Sequence, residues 1–284
     1  MPEGPTFFCI GAARSGTTWA WECLRHHPDV EVTQPKETDF FTSHFERGES
    51  WFLSHFFYLG RRLCGEVNPG YFHCPQAAER MAKLYPEARL VVILREPLER
   101  AVSHVLFRAR ADGVAAEPGL LRNYATEEMI ERSRYYTALS TYRGLFGKDK
   151  IRVLFYDHLN TSPETFQAAL YEAVGADPGF EFVGASKVVN KAKEIRFPRL
   201  FKWLRGVSAF FKRHRALSYL LERLHRLFPV RRLVADAFKK SKPDIPRIQF
   251  LDLFTAEQAE LLQEELRLLK REWGLELPES WNAG

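Results

Sequence analysis

Phe7-Phe8-Cys9-Ile10-Gly11-Ala12-Ala13-Arg14-Ser15-Gly16-Thr17-Thr18-Trp19 reads as a buried strand, a turn of small residues and the first turn of a helix. Glycine and alanine in such a turn let backbone N–H groups converge on an anion, and a following helix adds its unpaired donors and the positive end of its dipole. Ser15, Thr17 and Thr18 bring hydroxyl groups to the same place, and Arg14 brings a permanent charge. The alternative is a tight strand-to-helix turn with an exposed arginine. Gly11 and Gly16 have the spacing of a nucleotide-triphosphatase loop, but Thr17 stands where that loop requires its lysine, which argues against ATP or GTP hydrolysis.

Outward from this stretch, Thr6–Ile10, Leu63–Val67, Leu90–Leu94 and Ile151–Tyr156 are short runs rich in β-branched or aromatic residues, as strands buried on both faces are. Helical patterns at Thr17–His26, Gln76–Tyr85, Leu98–Arg110 and Ser133–Phe146 separate them. This alternation predicts an α/β fold: a P-loop-like parallel sheet with helices on both faces. The whole of 1–284 is expected to be one domain, with a nucleotide-binding core at 5–160. Residues 196–242 are expected to form a basic, amphipathic helical insertion, and residues 255–274 a C-terminal helix with Thr255 and Gln258 as its capping box and Gly274 as its C-cap.

The 284 residues are 45% hydrophobic and 14% aromatic, too rich in core formers for a disordered chain. Forty-one basic against 36 acidic side chains give +5, and the pI near 9.0 suits an anionic ligand or surface. Cys9, Cys23, Cys64 and Cys74 have no zinc-ligand spacing, so reduced thiols and no metal are expected. The start of the sequence leaves no room for a signal peptide, and no apolar run approaches the roughly 20 residues of a membrane span. A cytoplasmic location is the expectation.

A second segment carries equal weight: Leu90-Val91-Val92-Ile93-Leu94-Arg95-Glu96-Pro97-Leu98-Glu99-Arg100-Ala101-Val102-Ser103. Arg95 falls at the C-terminal end of a parallel strand, where open α/β sheets place ligands, and Pro97 suits the first turn of the next helix. Arg100 reads as a solvent charge. Together the two segments resemble the sulfotransferase family, whose first signature has a Lys or Arg, one residue, Gly and two hydroxyl residues, as in Arg14, Gly16, Thr17 and Thr18. Its second is a strand ending in Arg-x-Pro with a serine eight residues after the arginine, as in Arg95 and Ser103.

The resemblance implies 3′-phosphoadenosine-5′-phosphosulfate as sulfuryl donor and adenosine-3′,5′-bisphosphate as product. Arg14, Ser15, Gly16, Thr17 and Thr18 would take the 5′-phosphosulfate, and Arg95 and Ser103 the 3′-phosphate. Tyr135 or Tyr136 would flank the adenine, and Lys191 with Lys193 would lie on a loop closing over the nucleotide. Gln34–Phe41 and Glu66–Phe72 are similar to segments of the glycosaminoglycan branch and related bacterial enzymes, which makes Glu37 the expected general base, dried by Phe40 and Phe41. The alternative for Glu37 is a surface glutamate paired with Lys36. Glu66 is the second candidate, as base or acceptor-orienting group, and His73 is retained from the set His26, His27, His44, His55 and His73. Val67 and Asp39 stand where glycan-modifying relatives carry lysine and histidine, which speaks against a heparan-type acceptor.

A small-molecule or saccharide hydroxyl, or an amine, is the expected acceptor, with no nucleic acid involved. Trp51, Phe52, Phe56, Phe57 and Tyr58 favour a small or partly apolar one over a long polyanion. The competing classes are a nucleotide kinase with a variant phosphate loop, which a divalent-metal requirement would reveal, and a non-catalytic module docking on membranes or polyanions through 196–242.

Overall fold

The computed structural model describes residues 4–57, 63–184, 194–195, 239–240 and 248–282. Lys191, Lys193, Tyr58 and nearly all of the basic segment 196–242 lie outside them. The chain divides into two compact units, one of Met1–Ala101, Glu127–Val189 and Thr255–Gly284, the other of Val102–Thr126 and Asn190–Phe254.

The first unit opens with β1 (Phe7–Gly11), α1 (Thr17–His26), β2 (Val30–Val32), α2 (Phe40–Ser43) and α3 (Glu49–Leu53). It continues with β3 (Leu63–Val67), α4 (Pro75–Leu84) and β4 (Arg89–Leu94), after which α5 (Pro97–Ala111) runs on into the second unit, where α6 (Pro118–Leu121) follows. The chain returns to the first unit with α7 (Glu127–Glu131), α8 (Tyr135–Phe146), β5 (Ile151–Phe155), α9 (Tyr156–Thr161) and α10 (Pro163–Val174), and closes with α11 (Ala256–Leu268). In the second unit Arg122 Nε donates to the Asp252 carbonyl at 3.0 Å, and 194–195 pair antiparallel with 239–240.

All four strand pairings of the main sheet are parallel, in the order β2-β3-β1-β4-β5. Period-2 alternation sorts the strand residues to its two faces. Phe8, Ile10, Leu90, Val92 and Leu94 join a core with Ala77, Ala78 and Met81 of α4, Tyr135, Leu139 and Tyr142 of α8, and Leu266 of α11. Phe7, Cys9, Val91 and Ile93 join the opposite core with Trp19, Cys23 and Leu24 of α1 and Phe166, Leu170 and Tyr171 of α10. Helices therefore cover both faces.

Thr255 caps α11 with Gln258 in a reciprocal box, and Gly274 ends the last turn at φ 63°. The Cys9, Cys23 and Cys64 thiols are free and buried, and burial pushes Cys9 and Cys23 up to about 12. Among the described residues no helix is long and apolar enough to cross a membrane.

The strand order puts a topological switch between β1 and β4: from β1 the chain crosses to the edge strand β2 and returns to β3 on one side, then crosses to β4 and β5 on the other. The crevice at the C-terminal ends of such a pair is where open parallel sheets bind ligands. Both segments singled out in the sequence, the turn at 12–16 and Arg95, emerge there.

Candidate active site

The turn after β1 is tied to β4 by the Ala12 N–H, which donates to the Ile93 carbonyl at 2.8 Å, and closes on itself through Ser15 N–H to the Ala12 carbonyl at 3.2 Å. Arg14 at φ 75° and Gly16 at φ 85° both adopt the left-handed conformation, which a non-glycine residue holds only at a cost of about 1–2 kcal/mol. Gly16 is the N-cap of α1, no side chain caps that terminus, and no acid occupies its first turn. Ser15 is fully buried, yet its Oγ has no hydrogen-bond partner among the described residues. Orphaned buried hydroxyls are uncommon, and this one fits an anion accepting from it. Thr17 is buried and Thr18 exposed.

Arg95 follows β4 directly. Its guanidinium binds Glu99 Oε2 at 2.9 Å and lies 5.2 Å from the centre of the Tyr156 ring, while Tyr135 Oη donates to its carbonyl at 2.8 Å. Arg100 corrects the reading from sequence: it is wholly buried, donating from Nε to Ser133 Oγ at 2.7 Å and from Nη2 to the Met129 carbonyl. Burial pulls its pKa down to about 10, assisted by the positive charges of Arg132, Arg14 and Arg95. The charges of Arg14, Arg95 and Arg132 thus all act on Arg100. Positive charges that act on one another favour a nearby anion.

A second group of residues lines the turn after β3. Gly11 is a glycine because a Cβ there would come within 2.7 Å of Phe72, so the segment 68–73 lies against the end of β1. Glu66 is fully buried at the end of β3. Its Oε1 accepts from Thr38 N–H and Thr38 Oγ1, both at 2.7 Å, and its Oε2 from Tyr71 Oη at 2.8 Å. Burial drives the carboxyl up to about 7 against the opposing pull of those hydrogen bonds. Asn68 Nδ2 donates to Asp39 Oδ1 at 3.1 Å, and Asp39 sits at φ 56°.

Glu37 lies two residues before that left-handed turn. Its side chain is 45% exposed and paired with Lys36. Phe40 and Phe41, expected to dry it, turn into the core instead, where Phe40 stacks on Phe52 at 4.7 Å. The aromatic run read as favouring a small or partly apolar acceptor divides: Phe52 and Phe56 are core residues, Trp51 packs on the core, and Phe57 is exposed. His73 Nε2 is buried without a hydrogen-bond partner among the described residues. Burial holds its pKa down at about 3, with the charges of Arg100 and Arg132 adding to the effect. His27 and His55 are buried and bound to the Asp177 and Trp51 carbonyls.

Tyr135 is wholly buried, and Tyr136 packs half-buried on the same core. Ser103 is half-buried on α5, past the point where the second unit begins. The structure thus gathers Arg14, Ser15, Gly16, Thr17 and Arg95 about the switch point and adds Arg100 and Tyr156, which the sequence reading missed. Tyr156 had one signal, its place at the end of a strand pointing to the same edge as Arg95. Arg100 had none, since its partners Met129 and Ser133 are about thirty residues downstream.

Residues 41–180 match the sulfotransferase family. The chain is similar to the membrane-associated sulfotransferase kil1 of Dictyostelium discoideum, 34% identical over 107 residues, covering 36% of this chain and 23% of that protein. It is also similar to the bifunctional heparan sulfate N-deacetylase/N-sulfotransferase 3 of Mus musculus, 24% identical over 269 residues, covering 79% of this chain and 31% of that one. The chain therefore spans under a third of the length of these two relatives. In fold it is similar to the crystal structure of a sulfotransferase from Alicyclobacillus acidocaldarius, with a TM-score of 0.54 at 23% identity, covering 63% of this chain and 84% of the other.

Proposed function

We propose that the chain transfers the sulfuryl group of 3′-phosphoadenosine-5′-phosphosulfate to a hydroxyl or amine of a small-molecule or saccharide acceptor, a reading that its likeness to sulfotransferases supports. The observation that carries this reading is the left-handed turn Arg14–Gly16 at the uncapped start of α1, with the buried Ser15 Oγ unpartnered among the described residues and Arg95 leaving the neighbouring strand β4 at the same switch point. A donor set of hydroxyls, backbone amides and guanidinium groups suits phosphate and sulfate.

When bound, the nucleotide supplies an activated sulfuryl group with a phosphate leaving group. The turn Arg14–Thr18 would hold the 5′ end and neutralise the charge that develops there, since in-line group transfer depends on positioning and electrostatic stabilisation. Arg95, with Ser103 on α5, would hold the 3′-phosphate. Tyr136 and Lys191 are further nucleotide contacts in this proposal, and Tyr156 supports both Gly16 and the Arg95 guanidinium. Glu37, whose carboxylate reaches solvent, would take the acceptor proton, with Glu66 and His73 behind it.

Calorimetric titration with adenosine-3′,5′-bisphosphate, in the absence of divalent metal, tests the reading on the wild type, Arg14→Ala and Arg95→Ala. Binding that each substitution weakens by tenfold or more, as loss of a charge-assisted contact of about 1.5–3 kcal/mol requires, supports it. Binding indifferent to both arginines, or none, refutes it.

A further inference from the structure

We propose that Glu66 is a positioning residue that anchors the segment bearing Glu37 and Asp39 to the end of β3 through Thr38. This deepens the sulfotransferase reading and rests on it for the meaning of the segment, though the anchoring can be measured without it.

A general base must present a lone pair to the acceptor's proton. Glu66 is wholly buried, its Oε1 is taken by two 2.7 Å bonds from Thr38, and its Oε2 by the 2.8 Å bond from Tyr71. Both bonds from Thr38 hold the residue directly between Glu37 and Asp39. From the other side Asn68 joins the same carboxylate to Asp39, with Nδ2 lying 3.4 Å from Glu66 Oε1 and 3.1 Å from Asp39 Oδ1. Tyr71 is fixed in turn by Tyr142 of α8, whose Oη donates to the Tyr71 carbonyl at 2.8 Å. One buried carboxylate therefore fastens two loops, 36–39 and 68–71, to the sheet. The Glu37 carboxylate, half in solvent on the anchored segment, is left to meet an acceptor.

The titratable groups around Glu66 are Tyr71 on the turn after β3 and Asp39 across Asn68, with Lys36 and Glu37 flanking Thr38. On the β1 side its strand neighbour is the apolar Phe8. The folded anchor favours the protonated carboxyl, whose pKa rises from 4.5 to about 7. Releasing the segment returns Glu66 to water, so release becomes easier as pH rises through about 7.

Amide hydrogen exchange of the full chain, followed on peptides covering residues 34–41 and corrected for intrinsic rates, tests the anchor. In wild type, protection of these peptides should fall about tenfold between pH 6 and pH 8. Glu66→Gln, which keeps an acceptor oxygen for Thr38, should retain protection and lose its pH dependence, whereas Glu66→Ala should lose protection at every pH. Should the alanine variant lose protection throughout the chain, the glutamine profile decides alone. Wild-type protection as flat with pH as that of Glu66→Gln, or full protection at 34–41 in Glu66→Ala, overturns the proposal. Titration with adenosine-3′,5′-bisphosphate separates the two ideas: absence of wild-type binding removes the sulfotransferase reading while leaving the exchange result to stand or fall by itself.

Discussion

Gly16→Ala tests whether the turn after β1 is built as described. At φ 85° an L-residue is strained, by about 1–2 kcal/mol. The added Cβ would also lie 3.1 Å from Tyr156 Cδ2 and 3.2 Å from Leu159 Cδ2, so the Tyr156 ring must yield. That ring carries the Arg95 guanidinium at 5.2 Å, a cation–π contact worth about 0.5–1 kcal/mol. The sum is a loss of about 1.5–3 kcal/mol in folding stability, with weaker nucleotide binding because both the turn and Arg95 shift. Gly144 supplies the control: it lies within α8 with ordinary φ, and a Cβ there meets nothing within 4 Å. Gly144→Ala should therefore stabilise by about 0.5–1 kcal/mol. Denaturant melts of the three proteins measure both effects. A Gly16→Ala protein as stable as wild type and binding the bisphosphate equally well would refute the account of the turn.

Arg100→Met should cost about 3 kcal/mol in denaturant melts, because it strips the Ser133 hydroxyl and the Met129 carbonyl of a buried donor, and it should also weaken bisphosphate binding through the lost charge. His73 is held neutral in the fold, its pKa depressed from 6.5 to about 3, so its contribution is present above pH 6.5 and is lost as pH falls toward 3. His73→Asn should accordingly unfold less steeply in acid than wild type when melts are compared between pH 7 and pH 4. Thr255→Ala removes the cap on α11, where Thr255 Oγ accepts from Gln258 N–H, and should lower stability by about 1 kcal/mol in the same assay.

The sheet was legible because its strands are buried on both faces and read as unbroken apolar runs between helical patterns. β2, with only Val30–Val32, is too short to show a period. α10 announced itself with Pro163 at its first turn and Gly175 at φ 86° just past its end, but the sequence reading did not extract it. The turn after β1 was legible because glycine and small residues act there through local backbone geometry. The surroundings of Glu37 were not. Proximity in sequence suggested that Phe40 and Phe41 shield Glu37, but the left-handed turn at Asp39 sends them into the core and leaves Glu37 outside. The Thr38 partner of Glu66, and Ser133 and Met129 beside Arg100, lie roughly thirty residues away, a distance that no periodicity reports.

One contact gives the order of synthesis a bearing on the site. Glu265 of α11 is nearly buried and serves the start of α8 from a distance, its carboxylate accepting from Thr137 N–H at 2.9 Å, Thr137 Oγ1 at 2.6 Å and Arg134 Nε at 3.3 Å. That same helix start holds the Arg95 carbonyl through Tyr135. On the ribosome, the strand end that presents Arg95 must wait for residue 265 to emerge before its support is complete, even though all five strands of the sheet were made more than a hundred residues earlier. The strand end that presents Arg95 is finished last, and a chain stopped before α11 would leave its support incomplete.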